Sequence, residues 1–214
     1  MKLYDYFRSS AAYRVRIALN LKGLDYERAF VHLTRGGGEQ FSDQYRRVNP
    51  QTLLPTLEDD GQVFTQSLAI IEYLEETLPE PPLMPATAVE RARVRGIALA
   101  IACDIHPVNN LRVLTYLTNE LGVGDEARTA WYRHWVEVGL TGVEALIAGH
   151  PMTGRFCHGD APGIADLCLV PQIFNAKRFD CDLSGCPELV RINQACLGLP
   201  AFADAAPPNQ PDAE

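Results

Sequence analysis

The chain has 214 residues, of which 47% are hydrophobic and 21% charged, with a formal net charge of −8. That length gives one large domain or two small ones with room for a core. The acidic balance and the lack of any Lys/Arg block argue against nucleic-acid binding. No run approaches the roughly 18 apolar residues of a membrane span, and the opening Met1–Tyr6 is too short an apolar stretch for a secretory leader.

The first 80 residues mix strand and helix signals. Lys2–Phe7 reads as a short strand, followed by a helix over Ala11–Leu21 with Ala11, Val15, Ala18 and Leu19 on one face and Gly23 at its C-terminal end. Tyr26–Leu33 reads as a second strand and Gly36–Gly38 as a flexible loop. Thr56–Glu58 and Val63–Thr65 flank Asp59-Asp60-Gly61-Gln62, a hairpin signal. Ser67 is placed to cap a helix through Leu68, Ile71 and Leu74. The predicted order is βαβ, a loop with a short helix, then ββα.

Four prolines fall within residues 79–85 and cannot continue a helix; residues 81–88 read as a linker. Beyond it the signal is helical. Val94, Ile97, Ile101 and Ile105 recur at spacings of three and four, and further helices are predicted over Glu126–Ile147 and Ile164–Ala176. The predicted division is therefore residues 1–80, 81–88 and 89–206, with a proline-rich, disordered tail over 207–214. The six cysteines (Cys103, Cys157, Cys168, Cys181, Cys186 and Cys196) form no C-x-x-C pair. They suggest reduced thiols in a cytoplasmic protein, with no metal site.

Arg8-Ser9-Ser10-Ala11-Ala12-Tyr13-Arg14-Val15-Arg16 stands between the first strand and first helix. With Asn49-Pro50, Leu54-Pro55-Thr56-Leu57, Gln66-Ser67-Leu68-Ala69, Ile105-His106-Pro107, Asn110 and Ala165-Asp166-Leu167, it resembles the zeta-class glutathione transferases in register over about residues 1–200. The resemblance implies an α/β thioredoxin-like N-terminal domain, an all-α C-terminal domain and a homodimer. It also implies glutathione as cofactor, bound mainly by the first domain. The implied activity is cis–trans isomerisation of a maleyl-type dicarboxylate such as maleylacetoacetate, in aromatic amino-acid breakdown.

The residue types suit that chemistry. A helix N-terminus presents free N–H groups and positive dipole charge, which suits a carboxylate, and by resemblance Gln66-Ser67 takes the γ-glutamyl end. By resemblance Leu54 precedes a cis Pro55 and offers its backbone to the glutathione cysteine, and Gln40 lies near the glycyl end. Ser9, at the strand-to-helix junction, is expected to donate its hydroxyl to the glutathione sulfur, with Ser10 the alternative donor. A free thiol has a pKa of about 8.5, and such a donor lowers it. The family's usual cysteine after the two serines is Ala11 here, which argues against the related reductive dehalogenases. Arg8 and Arg178 are candidate clamps for substrate carboxylates, since arginine binds carboxylate through two parallel hydrogen bonds. His106, Asn110 and Arg112 are further cofactor-binding candidates, aimed by a kink at Pro107. Arg14 and Arg16 read equally as braces of the site or as structural ion pairs, and Asp166 as a folding residue. The competing functions are maleylpyruvate isomerisation by the same chemistry, general glutathione conjugation, and a non-catalytic binding protein on the same fold.

Overall fold

The computed structural model describes Met1–Glu214. The chain divides into two compact units, Met1–Leu83 together with Gly198–Glu214, and Met84–Leu197.

The first unit holds β1 (Lys2–Asp5), α1 (Ser10–Leu21), β2 (Glu27–Phe30), α2 (Asp43–Val48), β3 (Thr56–Asp59), β4 (Gln62–Thr65) and α3 (Ser67–Thr77). The sheet order is β2-β1-β3-β4. β1 runs parallel to β2 and antiparallel to β3, and β3 pairs with β4 as a hairpin. This is the thioredoxin-like arrangement that the resemblance implied, in the βαβ–ββα order read from the sequence. The two strands predicted before residue 34 are each shorter than expected, and the Gly36–Gly38 stretch contains a 3₁₀ turn over Arg35–Gly37. The β3–β4 turn carries Asp60 at φ 46° and Gly61 at φ 73°. Two positive φ values in a two-residue loop define the type I′ turn that matches strand twist.

Helix α1 is buried along almost its whole circumference, including Arg14 and Arg16. It ends at Gly23, φ 65°, where Gly23 N–H bonds Asn20 C=O and Leu24 N–H bonds Leu19 C=O. That pair of bonds satisfies carbonyls the helix would otherwise leave open. Ser67 does not cap α3 as predicted. Gln66 occupies the cap position, and Ser67 is the first helical residue.

The tail is where the structure departs most from expectation. Residues 198–214 pack on the first unit instead of trailing away. Helix α10 (Pro200–Ala203) packs against α1, and a 3₁₀ turn covers Pro207–Asn209. Gln210 is buried, with Nε2 on the carbonyls of Asp204 and Ala206 and Oε1 accepting from Arg28. A polar composition read as disorder is thus held by specific partners. Residues 81–83 also belong to the first unit. Lys22 Nζ bonds Glu75, Leu78 C=O and Pro81 C=O, and Leu83 N–H bonds the Glu75 carboxylate.

The second unit is helical: α4 (Ala88–Leu99), α5 (His106–Val108), α6 (Leu111–Asn119), α7 (Asp125–Ile147), α8 (Ile164–Arg178) and α9 (Pro187–Leu197). Val94, Ile97, Ile101 and Ile105 form the buried stripe predicted for the first of these. Between α4 and α5 the helix widens to a π turn over Ala100–Ile105, and His106 N–H reaches Ile101 C=O. Pro107 has no N–H, and its ring crowds the carbonyl four residues back, so a wider register accommodates it. Asp166 joins the start of α8 to the preceding loop, accepting from Gly163 N–H and Cys157 N–H at 2.9 Å each. All six cysteines lie in this unit; none is in a disulfide, and only Cys103 is exposed. No helix is long and apolar enough to cross a membrane.

Candidate active site

In the first unit the chain leaves β1 through a turn closed by Ser9 N–H on Tyr6 C=O at 2.9 Å. Ser9 is the N-cap of α1, and its Oγ accepts from Ala12 N–H at 3.2 Å. The hydroxyl spends a lone pair on the cap and keeps its hydrogen to donate. Ser9 is half-buried while Ser10, one position on, is buried. Ser9 is therefore the more accessible donor, at the positive end of a buried helix. Arg8 is exposed, bonds the Tyr6 hydroxyl at 3.1 Å and lies 4.9 Å from the Phe7 ring.

At the head of α3, Gln66 has φ 67°, a left-handed conformation unusual for a residue with a side chain. Such strain costs about 1–3 kcal/mol and collects at functional sites. Its amide donates to Gln51 at 3.0 Å. Ser67 Oγ accepts from the buried Arg14 at 3.2 Å, so the serine hydrogen is free for an anion at the helix head. The two open readings of the α1 arginines divide between them. Arg14 braces Ser67, while Arg16 forms a fully buried ion pair with Asp5 at 2.6 Å.

The Leu54–Pro55 bond is cis, as the resemblance implied, and so is Glu80–Pro81. Leu54 N–H and C=O take no hydrogen bond within the chain. Gln40 is buried; its Nε2 bonds Leu33 C=O at 3.3 Å while Oε1 has no partner. An open backbone edge at Leu54, an orphan carbonyl at Gln40 and spare hydroxyl hydrogens at Ser9 and Ser67 are the groups a peptide with an anionic head and a thiol would use. The residues present fit glutathione.

In the second unit, His106 and Asn110 stand together where α5 gives way to α6, with Asn110 Nδ2 3.3 Å from His106 Nε2. Asn110 also caps α6 by accepting from Arg112 N–H, which leaves the Arg112 side chain exposed. Arg178 closes α8, its guanidinium 4.9 Å from the Phe179 ring, and Phe179 stacks on Tyr132 at 3.7 Å. Burial pushes the Tyr132 phenol far above its ordinary pKa, so this platform stays neutral beneath the arginine. Arg133 Nε donates to Phe179 C=O at 2.7 Å and fixes the same turn.

Sequence reasoning did not assign roles to Tyr45 or Asn49. Both donate to Leu53 C=O, at 2.6 and 2.9 Å, and both bond Thr56 Oγ1. They pin the residues on either side of Leu54–Pro55. The Asn49-Pro50 pair was visible as a motif, but its partner carbonyl lies in a loop that no periodicity marks.

Residues 3–82 match the family model for the glutathione S-transferase N-terminal domain. The chain is 54% identical over 211 residues to a probable maleylacetoacetate isomerase of Vibrio cholerae, covering 99% of this chain and 97% of the relative. It superposes with TM-score 0.97, at 47% identity and full coverage of both chains, on the holo structure of a bacterial zeta-class maleylpyruvate isomerase. A maleylacetoacetate isomerase from Methylobacterium extorquens with bound malonate and glutathione aligns over both full chains at TM-score 0.96 and 42% identity. Fold and site thus define a glutathione transferase of two units. Within that class, the chain belongs to the zeta-class family of maleylacetoacetate and maleylpyruvate isomerases.

Proposed function

We propose that this chain is a glutathione-dependent isomerase converting maleylacetoacetate to fumarylacetoacetate. The observation that carries the reading is Ser9 Oγ, bound by Ala12 N–H at the head of α1 with its own hydrogen unspent. Glutathione, when bound, would supply a sulfur nucleophile for reversible addition to the cis double bond, the chemistry that frees that bond to rotate. Ser9 holds the sulfur as thiolate by donating a hydrogen bond, helped by the α1 dipole. Ser10, buried one position on, is the alternative donor. Gln66, Ser67 and the α3 N-terminus bind the γ-glutamyl carboxylate, Leu54 pairs with the cysteinyl backbone beside Pro55, and Gln40 takes the glycyl end. His106, Asn110 and Arg112 are assigned to the cofactor as well. Arg8 and Arg178 hold the substrate carboxylates and stabilise negative charge that develops next to them.

The decisive measurement is loss of maleylacetoacetate absorbance with and without glutathione. Turnover should require the tripeptide and leave its concentration unchanged. Isomerisation at the same rate without it refutes the reading, and consumption of glutathione with a chlorinated aromatic, without isomerisation, would favour a conjugating transferase. Maleylpyruvate is the second substrate to test, supported by the full-length similarity to a maleylpyruvate isomerase; the ratio of kcat/KM on the two compounds decides. A homodimer in the cytoplasm belongs to the same proposal. The second is supported by six thiols without a disulfide, the first by family resemblance, and sedimentation checks it.

A further inference from the structure

The Tyr6–Ser9 turn is gripped from two sides. From within, Arg16 donates to Phe7 C=O at 3.0 Å and to Tyr6 C=O at 3.4 Å, while also holding Asp5 and the tail carbonyl of Ala205. On the other side, the amide of Phe7 donates to Asp212 Oδ2 at 2.9 Å, across 205 residues of sequence. Phe7 is the second residue of a four-residue turn, a position whose N–H has no partner within the turn itself. The tail supplies one.

The tail reaches Asp212 by a fixed route. Gln210 is anchored to Arg28 on β2 at 2.7 Å, Ala213 N–H closes a turn on Gln210 C=O, and Glu214 meets Arg35 at 2.6 Å. Asp212 is held at a cost. Its Oδ1 is buried without a partner, as is Asp5 Oδ2, and burial first, then the Asp212 charge, push the Asp5 pKa up against the pull of Arg16. A carboxylate oxygen buried without a partner costs stability. Its service is to the Phe7 amide, two residues before Ser9.

We propose that Asp212 is a positioning residue: by holding Phe7 N–H it fixes the turn from which the Ser9 hydroxyl projects, so the C-terminal tail governs sulfur activation without touching the reacting atoms. This rests on Ser9 facing the glutathione sulfur, as argued under Proposed function. Small displacements of a positioned group can cost up to about 100-fold in rate. Asp212→Ala should therefore lower kcat by about tenfold, leave KM for glutathione within about twofold, and raise the apparent pKa of the bound thiol, read from thiolate ultraviolet absorbance against pH. Asp212→Asn keeps an acceptor for Phe7 N–H, so it should restore both readouts. Amide exchange in the Tyr6–Ser9 segment of the free full-length enzyme should quicken in the Ala variant alone. Should Asp212→Ala fold poorly, Asp212→Ser, too short to reach the amide, takes its place. Wild-type kcat, thiol pKa and exchange in the Ala or Ser variant would overturn the proposal, as would an Asn variant as impaired as Ala. A wild-type enzyme whose bound thiol titrates near the free value of about 8.5 would instead refute the role of Ser9 itself.

Discussion

The two units treat their polar groups in opposite ways. In the first, nearly every group assigned to glutathione stands on a buried support: Arg14 behind Ser67, Tyr45 and Asn49 around Leu54–Pro55, and Arg16 beneath the turn before Ser9. In the second, Arg178, the arginine assigned to the substrate, is exposed at the end of α8, with its guanidinium 4.9 Å from the Phe179 ring. A cofactor of fixed shape rewards rigid support, because preorganised donors cost no rearrangement when charge develops. A substrate clamp on helix ends can be altered without disturbing a core.

By that contrast, substitutions at the buried supports of the first unit should act on folding and turnover, and substitution of Arg178 in the second on substrate affinity. The largest effect should come from Arg16→Met. It leaves Asp5 as an uncompensated buried charge, and urea unfolding should report a loss of about 3–5 kcal/mol. Ser9→Ala comes next. Removing one preorganised donor costs about 100-fold or more in kcat, and steady-state kinetics should show KM for glutathione moving far less. An equal loss in both would make Ser9 a binding residue. Arg178→Gln should raise the substrate KM by about 10- to 100-fold, the loss of a charged hydrogen bond worth about 1.5–3 kcal/mol, with the melting temperature unchanged; a large drop in melting temperature would contradict the contrast directly.

The smallest effect concerns pH. His158 is held below its ordinary pKa, first by burial and then by the neighbouring Arg93, with Glu90 partly opposing. Its folded pKa is depressed, so its share of stability is present above the unfolded value of about 6.5 and is lost as pH falls through the folded value. Melting temperature measured from pH 8 to pH 5 should decline less steeply in His158→Gln than in the parent.

Much of this was legible in the sequence because the signals were local. The Asp59–Gln62 turn, the Val94–Ile105 stripe and the serine pair at the head of α1 each declare themselves within a few residues. What escaped were interactions closed over long separations or hidden by composition. The tail from Pro207 has the polar, proline-rich make-up of a disordered segment, and its partners Arg28, His32, Arg35 and the Phe7 amide lie far away in sequence. The same holds for Ser67, which reads as a cap until Arg14, 53 residues earlier, is seen to occupy its oxygen. The bracing of Leu53 by Tyr45 and Asn49 depends on loop geometry that neither helical nor strand periodicity encodes.

The distribution of cysteine has a consequence for durability. The unit that binds the cofactor contains none, and Ala11 stands where the family usually has one. On the proposed chemistry, the sulfur that bears the hazard of oxidation is not covalently part of the protein there. Once spoiled, it diffuses off and a fresh molecule takes its place, so oxidative wear at the reacting centre falls on a replaceable small molecule and not on the polypeptide.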